Sequence, residues 1–113
     1  MPHVIIEHNN SLTSLIAKTE LVKKIHYCMV DSALFTPSAI KTRTHSFDAV
    51  CWGQAGEVVD FVHITAKILE GREREKRVKL ADELFAILQE ALPDVPKLSV
   101  DIHEMNKDCY RKK

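Results

Sequence analysis

Proline at the second position is the residue whose placement in this chain could do chemistry. Removal of Met1 would leave Pro2 with a free secondary amine held in a ring. A proline inside a chain is an amide and takes no proton. An amino-terminal proline does take one, with an ordinary α-amino pKa of about 8. A general base works best when its pKa lies near the working pH, and burial or a nearby cation would bring Pro2 into that range. The alternative is that Met-Pro simply starts the chain. With Met1 retained, the nitrogen of Pro2 stays a peptide nitrogen and there is no base. Three cations could serve such a base. Arg72 follows Gly71 at the exit of an apolar run, and Lys41 and Arg43 alternate within residues 39–44. Arginine suits carboxylates because its planar fork offers paired donors. The alternative for any one of these cations is a solvated surface charge.

These residues need rigid elements behind them. Val4-Ile5-Ile6 is a β-branched run that reads as a buried strand over His3–Glu7, directly after Pro2. Asn9-Asn10-Ser11 is a turn and cap cluster. A helix is expected over Ser14–Met29, with Leu15, Ile16, Leu21, Val22, Ile25 and Met29 on one face and Lys18, Lys23 and Lys24 facing water. Pro37 marks a loop. Residues 39–52 have strand texture, as one long strand or two short ones, and Gly53-Gln54-Ala55-Gly56 reads as a turn. The clearest strand is Asp60–Ile68, with Val62, Ile64, Ala66 and Ile68 on one face. Gly71 is a hinge. A second helix follows over Glu73–Ala91, with Val78, Ala81, Leu84, Phe85 and Leu88 as its stripe and Pro93 as its stop. The last strand is Leu98–Glu104, and the tail beyond Met105 is polar, with Tyr110 its only aromatic and Arg111-Lys112-Lys113 a solvated end.

The order strand, helix, strand thus occurs twice, as a pseudo-repeat of residues 1–58 and 59–113. Two β-α-β units predict an α+β fold, a single domain with one four-stranded mixed sheet and two helices on one of its faces. The other face still carries apolar side chains, so an oligomer is expected to bury it.

Composition narrows the function classes. Sixteen basic and 16 acidic side chains balance, which gives no electrostatic reason to expect nucleic acid or an anionic membrane surface as partner. No apolar run reaches the ~20 residues of a membrane helix, and no signal-peptide pattern opens the chain. Cys28, Cys51 and Cys109 are odd in number and widely spaced, which fits free thiols in a reducing cytoplasm. None of the six histidines pairs at His-x-x-x-His spacing, so no metal site is expected.

Taken together, these stretches resemble the tautomerase superfamily, and within it the 5-carboxymethyl-2-hydroxymuconate isomerase family in length and layout. The matching stretches are Met1-Pro2-His3 with Glu7, Ile40-Lys41-Thr42-Arg43-Thr44-His45, Phe61-Val62-His63-Ile64-Thr65 with Lys67, and Gly71-Arg72. The second half, from Ile68-Leu69-Glu70-Gly71-Arg72 to Ser99-Val100 and Glu104-Met105, is also similar to the shorter 4-oxalocrotonate tautomerase. The resemblance implies a homotrimer with the amino-terminal proline in a pocket between subunits. It implies neither metal nor organic cofactor. It further implies that the proline shuttles a proton within a small anionic unsaturated dicarboxylic acid. Arg72 stands where the family grips a substrate carboxylate. Lys41 replaces the first arginine of the family's Ile-Arg-x-Arg pattern, and Arg43 matches the second. Tyr110 falls near an aromatic pocket wall of the shorter relatives. His3, His45 and His63 match as well. Histidine can act as an acid at neutral pH, but on alternating strands packing or hydrogen bonding between subunits is the expected role. A keto–enol tautomerase of a monocarboxylate, or a non-catalytic oligomeric binding protein that retains Met1, are the other readings.

Overall fold

Strand β1 (His3–Asn9) sits inside the sheet and carries the amino terminus at its leading end. It buries Val4, Ile6 and His8 on one side, while His3, Ile5 and Glu7 stay half-buried on the other. The computed structural model describes residues 1–54, 56 and 59–113. Within them β1 pairs in parallel with β2 (Lys41–Phe47) and antiparallel with β3 (Phe61–Leu69). Strand β3 in turn pairs in parallel with β4 (Lys97–Met105), giving the order β2-β1-β3-β4. Each parallel pair is joined by a helix, α1 (Lys18–Asp31) or α2 (Arg74–Ala91), as a parallel connection requires. The expected four-stranded mixed sheet with two helices is therefore present. Ala55 of the expected turn and Val58 at the expected repeat boundary lie outside the described residues.

The core lies between the helices and one sheet face. Val4, Ile6, Val62, Ile64, Ala66 and Ile68 meet Leu21, Ile25 and Met29 of α1 and Leu80, Leu84 and Leu88 of α2. Two expectations about the helices need correction. Helix α1 begins at Lys18 rather than Ser14, because residues Asn10–Ser14 form a 3₁₀ turn and Ala17 is extended at ψ 139. Leu15, stranded before that break, is 56% exposed and is not part of the apolar face, whereas Leu12 on the 3₁₀ turn is buried. On α2 the buried stripe runs through Leu80, Leu84 and Leu88, and Val78 is 45% exposed. Val78 precedes Leu80 by two residues, about 200° around the helix, and so lies on the side away from that stripe.

The second sheet face carries apolar side chains, as expected, set among a larger number of polar ones. Register places His3, Glu7, Lys41, Arg43, His45, His63, Thr65, Lys67, Ser99, Asp101 and His103 on it. Apolar side chains there are confined to Ile5 in the middle and to Phe47, Phe61, Leu69 and Met105 toward the ends. Alternation explains the pattern, since one side of each strand is committed to the core and the other is polar. Among the described residues no helix is long and apolar enough to cross a membrane.

Candidate active site

Pro2 is buried, and its carbonyl accepts a hydrogen bond from the backbone N–H of Lys41 at 3.0 Å. This contact extends the β1–β2 ladder to the residue before the strand and fixes the ring against β2. Met1 is attached here, so the nitrogen of Pro2 is an amide and the free amine is that of Met1. The Met1 amine donates to the carbonyl of Ala39 at 2.5 Å. Burial, and after it the charge of Lys41, lowers the pKa of this amine from 8.0 to about 6, with a hydrogen bond involving Lys41 and the charge of Lys112 acting in the same direction.

The amino terminus opens into a cavity of about 540 Å³. Leu34, Phe35 and Leu69 form its apolar wall, while Arg72, Tyr110, Arg111 and Lys112 supply its polar groups. Among the described residues no carboxylate lines it.

Arg72 is held by its backbone surroundings. Its Nη2 donates to the carbonyl of Leu34 at 2.9 Å and its Nη1 to that of Leu69 at 3.4 Å. The guanidinium carbon lies 4.5 Å from the centroid of the Phe35 ring. A guanidinium has five N–H donors, so these two bonds leave donors free for an anion. Two unusual backbone positions set up the grip. Gly71 turns the chain out of β3 at φ +115, where a Cβ would also meet Lys107 Nζ at 3.3 Å. Ala33 ends α1 at φ 58, a left-handed conformation that costs about 1–2 kcal/mol for a residue with a Cβ. That turn delivers the Leu34 carbonyl and the Phe35 ring to Arg72.

The structure thus brings three of the expected positions together, the amino terminus ahead of Pro2, Arg72 and Tyr110. Lys41 is exposed, and its Nζ is 3.4 Å from the same Ala39 carbonyl that receives the amine. Arg43 does not line the cavity. Its Nη1 lies 3.2 Å from Nδ1 of His3, and Nε2 of His3 lies 3.0 Å from the hydroxyl of Tyr110. The sequence reading missed three residues. Phe35 carried no signal beyond being an isolated aromatic before Pro37. Arg111 and Lys112, expected in a solvated tail, line the cavity instead, because the short 3₁₀ turn Lys107–Cys109 folds the chain end back beside the amino terminus. Their adjacency to Tyr110 was the available clue.

A second cavity, of about 620 Å³, lies toward the other end of the sheet against Phe47, Trp52 and Phe61, with Glu7 and Lys97 on its wall. It has no amino terminus and no arginine among its described residues. Among the described residues no group of three or more His, Cys, Asp or Glu side chains is placed to hold a metal ion.

No curated protein matches the chain. A solved 5-carboxymethyl-2-hydroxymuconate isomerase from Deinococcus radiodurans R1 superposes with a TM-score of 0.87 at 24% identity, covering 99% of this chain and 88% of its own. The protein Pt0534, inactivated by 2-oxo-3-pentynoate, superposes at 0.81 with 18% identity, covering 97% and 91%. A fused 4-OT solved as a symmetric trimer superposes at 0.76 with 20% identity, covering 93% and 86%. At these identities the three structures establish the shared fold. The family model for 5-carboxymethyl-2-hydroxymuconate isomerase matches residues 2–113. The chain belongs to the 5-carboxymethyl-2-hydroxymuconate isomerase family.

Proposed function

We propose that this protein, once Met1 is removed, is a cofactor-independent isomerase that moves a proton within a 2-hydroxymuconate-type unsaturated dicarboxylic acid. One observation carries the reading. The amino terminus, where burial and Lys41 disfavour protonation of the Met1 amine, opens into a cavity that holds Arg72, Arg111 and Lys112 and no described carboxylate. Such a cavity attracts a dianion, and its cations and burial would disfavour protonation of Pro2 once Pro2 is the terminal amine.

In this scheme neutral Pro2 removes a proton from the enol hydroxyl or an acidic carbon of the substrate. The resulting iminium-free ammonium of Pro2 returns the proton at a distant carbon, and the double bond moves into conjugation. Arg72 takes one carboxylate and Lys41 approaches the other from the rim. Their fixed charges stabilise the dienolate as it forms, without reorganising at the moment of reaction. Tyr110 completes the wall. Arg43 acts on the substrate only through its neighbours. The protein assembles as a homotrimer, a reading supported by the neighbour solved as a symmetric trimer.

A keto–enol tautomerase acting on a monocarboxylate is the second reading. It is favoured by Lys41, which lacks the bidentate fork, and by Arg72, two of whose donors are already engaged. Turnover of a 2-hydroxymuconate-type dicarboxylate and of a monocarboxylate enol, followed by ultraviolet absorbance, separates the two. Preference for the dicarboxylate supports the first reading, and preference for the monocarboxylate supports the second. Turnover of neither by the Met1-free form refutes both and leaves an oligomeric binding protein.

A further inference from the structure

We infer that His3 and Arg43 are positioning residues that set the hydroxyl of Tyr110 as a hydrogen-bond donor to the substrate anion. The inference rests on the proposed anion site and goes beyond it, because neither residue reaches the cavity.

The direction of each bond follows from the chemistry of the partners. Arg43 has N–H donors and no acceptor, so its contact with His3 Nδ1 at 3.2 Å requires Nδ1 to accept. A neutral imidazole that accepts at Nδ1 carries its proton on Nε2. That Nε2–H therefore donates to the Tyr110 oxygen at 3.0 Å. The phenol oxygen is then occupied as an acceptor, and its own O–H remains to be given to something else. Tyr110 lines the same cavity as Arg72, so the group it faces there is the bound anion.

Three further observations fit. His3 and Tyr110 meet edge to face, with ring centroids 5.9 Å apart at 67°, which holds the phenol in one orientation. The imidazole stays neutral because burial, then Arg43, the amino terminus, Lys41 and Lys67, lower its pKa below the ordinary histidine range. His3 is fixed on β1 directly after Pro2, and Arg43 on β2 is one step along the register from Lys41. The same two strands that carry the base and the rim cation thus carry the relay.

The test uses adipate, a saturated dicarboxylate that cannot turn over, with binding to the full chain measured by calorimetry. Tyr110→Phe should weaken adipate binding about tenfold, the loss of one hydrogen bond to a charged group. His3→Leu should weaken it to a similar degree. In the Tyr110→Phe background, His3→Leu should have little further effect, since the two act as one unit. His3→Gln, whose amide can accept from Arg43 and donate to Tyr110, should restore binding to within about threefold. Arg43→Met, a change at an exposed side chain, should reproduce His3→Leu and covers the case in which the β1 variant fails to fold. Additive losses, failure of His3→Gln to rescue, or absence of saturable adipate binding by the unaltered protein would overturn the inference. Coupled losses without isomerase turnover would support the relay while rejecting the proposed reaction; turnover with additive losses would do the reverse.

Discussion

Arg72 stacks its guanidinium on Phe35 at 4.5 Å while donating to the carbonyl of Leu34, one residue earlier, at 2.9 Å. The loop between α1 and β2 therefore grips the cation from two directions. Arg72→Lys keeps the charge and loses the planar fork. Its expected effect is a KM for a dicarboxylate raised by about tenfold or more, since hydrogen bonds to charged groups contribute ~1.5–3 kcal/mol. Phe35→Leu keeps an apolar wall and removes the ring face, worth ~0.5–1 kcal/mol, so a rise of about two- to fivefold is expected. Steady-state kinetics on both variants check the order.

The pH dependence follows from the environment of the amino terminus. Burial first, and Lys41 next, lower the amine from 8.0 to about 6. A base with a lowered pKa is unprotonated above it and gains a proton as the pH falls. With Pro2 as the terminal amine, the same burial and cations should lower its pKa below the ordinary α-amino value, so kcat/KM should fall on the acid side with a limb below about 8. Lys41→Met removes a charge that disfavours protonation, so its acid limb should move up toward the ordinary value. An unmoved limb in Lys41→Met would mean that the titrating group is elsewhere.

Ala33 at φ 58 stores strain next to the site. Ala33→Gly relieves the Cβ clash but gives the unfolded chain more freedom, and the first effect is the larger in the left-handed region. A gain in stability of about 0.5–1 kcal/mol is expected by urea denaturation. Ala33→Val should lose stability and weaken carboxylate binding, because the turn that delivers Leu34 and Phe35 is displaced.

The corrected helix phases make a simple contrast. Leu84 is fully buried and Val78 is 45% exposed. Leu84→Ala should cost about 2–5 kcal/mol, whereas Val78→Ala should stay within about 0.5 kcal/mol. Comparable losses at the two positions would return Val78 to the core.

Much of the fold was legible because alternation on β3 and the apolar spacing of α1 and α2 are strong local signals. Leu15 and Val78 misled for the same reason. A periodic pattern does not say where a helix breaks or which of two overlapping apolar stripes faces the core. The mixed character of the second face was hidden because its apolar residues Ile5, Phe47 and Phe61 stand out in the letters, while register alone shows how many polar side chains share that side with them. Around the candidate cavity, the places of Pro2 ahead of β1 and of Arg72 after β3 could be read from strand ends. Phe35, Arg111 and Lys112 could not, since their place depends on two chain reversals, at Ala33 and at residues 107–109, that bring distant segments to the amino terminus.

The central claim is a nucleophilic, unprotonated amine on Pro2 inside a cationic cavity. Treatment with 2-oxo-3-pentynoate, followed by intact-mass and peptide mass spectrometry, tests it most directly. The nitrogen lone pair would add to the alkyne carbon remote from the ketone, with the amine proton passing to the adjacent carbon and no group leaving. The account predicts one reagent mass added per chain, on a Met1-free peptide beginning at Pro2, with loss of turnover in step. A chain that keeps Met1, or an adduct on a cysteine with Pro2 untouched, would contradict it.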